Sequence, residues 1–271
     1  MSAEKIAFIG GGNMASAIIG GLLRAGMAPE QFIVVEPHAP QRDKLAADFG
    51  VRPQAAGDAR LAEAATVVWA VKPQGFAEAA APLQPWVGQA LQLSVMAGIT
   101  TDSLATVSGS ERVVRAMPNT PALIGQGIAG LYARPAVSAD ERATVERLLA
   151  PTGQTLWVDR EADLDAVTAL SGSGPAYFFF VVEAMMAAAQ DMGLSVEQGR
   201  RLALATCGGA AALALASDES PTVLRERVTS KGGTTHAAIT SLQGDGVDVA
   251  IRRAVLAAQK RAGELGREFG G

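Results

Sequence analysis

Gly10-Gly-Gly-Asn-Met-Ala15 fits the pattern G-x-G-x-x-G/A, and residues of those types at that spacing suit a pyrophosphate. The first glycine permits a tight turn, the second lets backbone approach the phosphates, and the small third residue lets helix pack closely on strand. Gly10, Gly12, Asn13 and Met14 would present a helix N-terminus to the anion. Glu36, about 20 residues on, could accept a hydrogen bond from a ribose 2′-hydroxyl. A carboxylate there suits NADH, yet His38, Arg42 or Lys44 just beyond it could reach the extra phosphate of NADPH, so both cofactors stay open. Ala70-Val-Lys72 and Ala97 follow apolar runs, at the kind of strand end where doubly wound sheets bind ligands, and their backbone could orient a nicotinamide ring. Lys72 reads equally as a surface lysine. A second concentration of small and polar residues, Val228-Thr-Ser-Lys-Gly-Gly-Thr-Thr-His236, precedes a helical stretch. It reads either as a nest of free N–H groups for a small carboxylate or phosphate, or as a capped interhelical turn.

Other chemistries fail on spacing. Four residues after Tyr177 stands Val181 rather than lysine, so the Tyr-x-x-x-Lys pair of short-chain dehydrogenases is missing. His38 and His236 are the only histidines and Cys207 the only cysteine, which leaves no metal-ligand pattern and no internal disulfide. Ser171-Gly-Ser-Gly174 lacks the glycine two residues before Ser173 that a nucleophile elbow needs, and reads as a small-residue turn and helix cap. In Ser230–Thr235 the lysine precedes the glycines, unlike a Walker loop.

These groups need a frame. Lys5–Ile9, Phe32–Val35, Thr66–Ala70, Leu91–Met96 and Arg112–Ala116 read as strands, separated by Ala-rich stretches of helical length. Runs that are apolar throughout, rather than alternating, predict strands covered on both faces. Residues 1–160 are therefore expected to form an α/β, doubly wound, mainly parallel sheet of the Rossmann kind. From Glu161 the texture is nearly continuous helix. Pro175 opens one helix, Ser195-Val-Glu-Gln198 is a capping box, Ser220-Pro221 starts a third, and Gly246 to Phe269 carries Val247, Ile251, Ala254, Val255 and Ala258 on one face. Residues 161–271 are expected to form an all-helical second domain.

The 271 residues carry 23 Lys plus Arg against 27 Asp plus Glu, a formal charge of −4. An acidic chain with scattered cations offers no stripe for nucleic acid. Pro175 to Ala189 contains Glu183 and falls short of the roughly 18 apolar residues of a spanning helix, so no membrane partner is expected. The start, Met1 to Lys5, has no basic leader and no cleavage pattern, which with the single cysteine suits the cytoplasm.

Pro221 to Gln243 resembles the signature of the pyrroline-5-carboxylate reductases, the last enzymes of proline biosynthesis. The resemblance extends, in order, to Phe8–Met14, Ala70–Pro73, Arg115-Ala-Met-Pro-Asn-Thr-Pro121 and Leu170-Ser-Gly-Ser-Gly-Pro-Ala-Tyr177, and spans essentially the whole chain. It implies reduction of the cyclic imine 1-pyrroline-5-carboxylate to L-proline by NADPH or NADH. It also implies a homodimer built through the helical domain, with dimers often joined into decamers. By position, Thr235 matches the family's imine-contacting threonine, and Ser230, Gly232, Gly233 and Thr234 match its carboxylate-binding loop. An imine is basic enough to take its proton from solvent, so the lack of a dedicated acid is no objection, and His236 reads as a helix-surface residue. Two positions depart from the family pattern: Pro37 stands where some members carry arginine, and Lys231 where others can have proline. Lys231 would help hold a carboxylate or remain solvated. A β-hydroxyacid dehydrogenase would need a lysine within Leu170 to Glu183, and none is there.

Overall fold

The computed structural model describes residues 4–269, so Met1–Ala3 and Gly270–Gly271, at the ends of the expected domains, lie outside it. Seven strands form one sheet: β1 Lys5–Ile9, β2 Phe32–Val35, β3 Ala64–Trp69, β4 Leu91–Ser94, β5 Val113–Met117, β6 Gly127–Ala133 and β7 Gly153–Trp157. Their order is β2-β1-β3-β4-β5-β6-β7, parallel throughout except that β6 runs antiparallel to β5. The first five match the expected strands within two residues. β6 and β7 were not expected, because two glycines interrupt the apolar run of β6 and β7 is a short edge strand of alternating burial.

Helices α1 Asn13–Arg24, α2 Ala39–Phe49, α3 Phe76–Ala80, α4 Gln84–Val87, α5 Thr101–Ser108 and α6 Ala139–Leu149 cover the sheet. Alternate residues of β1 enter different cores, as a two-residue side-chain period requires. Ile6 and Phe8 pack with Ile18, Ile19 and Leu22 of α1, while Ala7 and Ile9 pack with Trp69 and Leu104. Burial on both faces makes the sheet doubly wound.

The rest is helical: α7 Asp163–Val167, α8 Gly174–Asp191, α9 Val196–Leu215, α10 Pro221–Arg227, α11 Thr234–Gly244 and α12 Val247–Phe269. Among the described residues, one compact unit runs to residue 173 and resumes at 258, and the other comprises residues 174–257. Residues 161–173 pack with the sheet, where Leu164 and Ala169 are buried. Within the second unit α8 and α9 lie close, and a Cβ on Gly199 would come within 2.9 Å of that of Ala189.

Two expectations are corrected here. Ser171–Gly174 is not a capping turn: Thr168–Gly172 forms a π-helical turn, closed by Ser173 N–H on the Thr168 carbonyl at 2.8 Å. Helix consequently runs on from Asp163 to Asp191, 29 residues, long and apolar enough by length and composition alone to cross a membrane, where the shorter Pro175–Ala189 segment falls short.

Candidate functional site

The carboxyl ends of β1, β2 and β3 converge at the first glycine-rich turn. Gly10 N–H donates to the Val35 carbonyl at 2.8 Å, and Ala70 N–H to the Ile9 carbonyl at 2.8 Å. Gly10 has φ +96°, and a Cβ there would lie 2.6 Å from the Ala70 carbonyl oxygen, so both backbone angle and space demand glycine. Ala70 and Val71 are themselves seated on the two cores, while Lys72 is exposed. Gly12 faces open space, with no atom within 4 Å of a Cβ placed there. It heads α1 without a side-chain cap, and the first turn holds no acidic residue. The N–H groups at Asn13, Met14 and Ala15 thus meet no competing side-chain oxygen, and the position suits a phosphate.

Glu36 closes the turn from below. One carboxylate oxygen accepts Gly11 N–H at 2.8 Å and the other accepts His38 N–H at 2.8 Å. Gln41 Nε2 donates to the Gly11 carbonyl at 2.6 Å, and Arg42 Nη1 donates to the carbonyls of Glu36 and Pro37 at 2.9 and 2.7 Å. Lys44 pairs with Asp48. Ala97 follows β4, which is held beside β3 by Val95 N–H on the Trp69 carbonyl at 3.0 Å. Open phosphate donors, a ribose-level carboxylate and a strand-end floor together fit a nicotinamide dinucleotide. Gln41 was missed by sequence reasoning, because nothing in the chain marks a glutamine as the partner of a carbonyl 30 residues away.

In the second unit, the stretch after α10 folds back on itself. Thr229 Oγ1 donates to the Arg225 carbonyl at 2.6 Å, and Gly233 N–H donates to the Ser230 carbonyl at 3.0 Å. Gly232 takes φ +75°, and a Cβ on Gly233 would sit 2.7 Å from Ser230 Oγ. Gly233 heads α11 without a side-chain cap and with no acid in the first turn. Ser230, Lys231, Gly232 and Thr234 are exposed and Thr235 is half-buried. The loop therefore offers the N–H groups of the first helical turn, with hydroxyls beside them, to a small anion. His236 lines a groove of about 220 Å³ with Arg225, Glu226, Thr229, Ile239 and Thr240.

Two residues of the Arg115–Pro121 stretch act at a distance. Arg115 Nη1 donates to Glu161 at 3.0 Å, and Glu161 also accepts the N–H and hydroxyl of Thr101 at 2.8 and 2.6 Å. Asn119 donates to the Ser171 carbonyl at 3.2 Å and accepts from Ile128 N–H at 3.0 Å. These residues tie the segment ahead of α8 to the sheet.

Comparison with known proteins agrees with both halves. Residues 161–265 match the family described as pyrroline-5-carboxylate reductase dimerisation, and residues 5–118 the family described as NADP oxidoreductase, coenzyme F420-dependent. The pyrroline-5-carboxylate reductase of Pseudomonas aeruginosa is 46% identical over 100% of both chains, and that of Haemophilus influenzae 42% identical over 98% of each. Among solved structures, the Coxiella burnetii pyrroline-5-carboxylate reductase superposes with a TM-score of 0.89 at 36% identity, covering 97% of this chain and 98% of that one. The Plasmodium falciparum pyrroline carboxylate reductase with NADP bound gives 0.86 at 27% identity, covering 98% and 99%. A match over the full length at this identity, carried by both units, places the chain in the pyrroline-5-carboxylate reductase family.

Proposed function

We propose that this protein reduces 1-pyrroline-5-carboxylate to L-proline with NADPH or NADH. The observation that carries this reading is a contrast among helix starts. α5, α6, α9 and α10 are capped by the hydroxyls of their own Thr100, Ser138, Ser195 and Ser220. α1 and α11 begin at bare glycines with no acid in the first turn, which leaves their first-turn N–H groups open to anions such as a pyrophosphate and a small carboxylate.

In the first unit, Gly10, Gly12, Asn13 and Met14 hold the phosphates, Glu36 takes the adenosine ribose, and the backbone of Ala70, Val71, Lys72 and Ala97 orients the nicotinamide. When bound, that ring supplies a hydride to the imine carbon. In the second unit, Ser230, Gly232, Gly233 and Thr234 fix the substrate carboxylate, and Thr235 hydrogen-bonds the ring nitrogen. Catalysis by these residues is positioning: they hold the C=N carbon where hydride can reach it, and solvent protonates the nitrogen.

The working form is a homodimer joined through the helical domain, residues 161–271 in family terms against a dinucleotide-binding domain of 1–160, with decamers as the larger assembly. Phe178, Phe179 and Phe180 of α8 are each more than 60% exposed in the single chain, and so wide an apolar surface around the helix suits a second copy. The reading is of a cytoplasmic enzyme with no nucleic-acid or membrane partner. The experiment is direct: purified protein with reduced cofactor and pyrroline-5-carboxylate should oxidise the nicotinamide and release L-proline, with no turnover of a β-keto acid. Turnover of the keto acid alone, or of neither, would overturn the assignment.

A further inference from the structure

We infer that Glu36 makes this reductase select NADH over NADPH, an inference that rests on the Gly10–Ala15 turn being the dinucleotide site. Both oxygens of Glu36 are engaged by backbone donors, Gly11 N–H and His38 N–H, each at 2.8 Å. Backbone donors do not rotate away, so displacing the carboxylate would orphan two N–H groups. The acid is thus fixed where the adenosine ribose meets the turn, with lone pairs left to accept from a hydroxyl and a negative charge facing any 2′-phosphate.

The cations nearby are each held in part by other groups. Arg42 has Nη1 on the carbonyls of Glu36 and Pro37, where it staples the β2–α2 turn, and Lys44 is turned to Asp48 along α2. The start of α2 offers few donors to a phosphate: Pro40 has no N–H, Gln41 N–H is bonded to the His38 carbonyl, and His38 N–H is on Glu36. A phosphate clamp would have to come from the remaining N–H groups of Arg42 or from the exposed His38 ring. A relative with NADP bound shows that the fold accepts the phosphorylated cofactor. In this chain the group at that place is an acid.

Like charges forced together at a binding surface are strongly disfavoured, so calorimetric titration of the whole protein, without substrate, should give a Kd for NADPH at least about 10-fold above that for NADH. Glu36→Ser, which removes the charge and makes room, should bring the two within about threefold of each other. Arg42→Ala should weaken both cofactors together. Equal or tighter binding of NADPH by the wild type overturns the inference whether or not any variant folds. An unchanged ratio in Glu36→Ser, with melting temperature preserved, moves the selectivity elsewhere. Loss of NADPH binding alone in Arg42→Ala or His38→Ala reveals a phosphate clamp and overturns it too. A wild type that binds NADH tighter yet reduces pyrroline-5-carboxylate with neither cofactor supports this inference and refutes the proposed reaction, so the two fail separately.

Discussion

The two glycine-headed helix starts are built on opposite plans. At the β1–α1 turn, residues far apart in sequence close the structure: Gly10 lies on Ala70, Gly11 is held by Glu36 and Gln41, and Ala15 is fully buried. At Ser230–Thr235 the hydrogen bonds that shape the loop come from its own neighbours, Arg225 and Ser230, and most of its side chains are exposed. The Gly10–Ala15 turn is therefore a product of one chain's core, whereas the Ser230–Thr235 loop is an open surface. A site wired into the core should fail in stability and binding together; a site on the surface should fail in chemistry alone.

The severest test of that contrast is Gly10→Val. Its side chain must enter a φ of +96° and the space of the Ala70 carbonyl oxygen, strain of about 1–3 kcal/mol before the turn itself is displaced. Cofactor binding should fall below detection by calorimetry, and the melting temperature should drop by several degrees, at about 2–4 °C per kcal/mol for a chain of this size. Retained stability with lost binding would mean the turn is not part of the core.

Thr235→Ala is the counterpart in the second unit. Turnover should fall about 100-fold through lost alignment of the imine, with the thermal transition unmoved. Wild-type turnover, or a lowered transition, would remove the distinction between the two sites.

The same contrast explains what could be read from residues alone. The Gly10–Ala15 turn, Glu36 and the first five strands were legible because a tight turn beside phosphates admits few residue types and a doubly covered strand must be apolar along its length. Gln41 was not, since its partner is a backbone carbonyl brought near only by the sheet. The loop at Ser230–Thr235 left an anion nest and a capped turn equally open on composition, and only resemblance gave Thr235 a role; the bare Gly233 cap then favours the nest. β6 was hidden by Gly127 and Gly130, which interrupt its apolar run.

Arg115 tests whether a stretch recognised by resemblance serves the core or the chemistry. Its side chain is 7% exposed and its guanidinium meets Glu161, which keeps two hydrogen bonds from Thr101 if the arginine is lost. Arg115→Met should lower unfolding free energy by about 2 kcal/mol in urea, within the range for hydrogen bonds to charged groups, and change kinetic constants less than Thr235→Ala does. A kinetic defect as large as that of Thr235→Ala, at unchanged stability, would put Arg115 among the residues that meet substrate.

Glu141 supplies the control for the glycine-headed helices, because α6 is closed by its own side chains. Ser138 caps the helix on Glu141 N–H, and Glu141 accepts from Ser138 N–H at 2.8 Å and from Arg112 at 2.8 Å. Burial alone would raise the Glu141 pKa, but the bonds from Ser138 and Arg112 outweigh it and hold the carboxyl below its ordinary range. A lowered acid binds protons less readily folded than unfolded, so its stabilising effect is present in full above the unfolded value, about 4.3, and is lost as pH falls through the folded one. Glu141→Gln keeps an acceptor for Ser138 and removes the charge, so it should lower stability by about 0.5–1 kcal/mol at neutral pH. Urea titrations of the two proteins should then converge as the buffer is taken below the carboxylate range. A difference that persists in acid would assign the effect to shape rather than charge, and α6 would no longer stand as the ionically closed counterpart of α1 and α11.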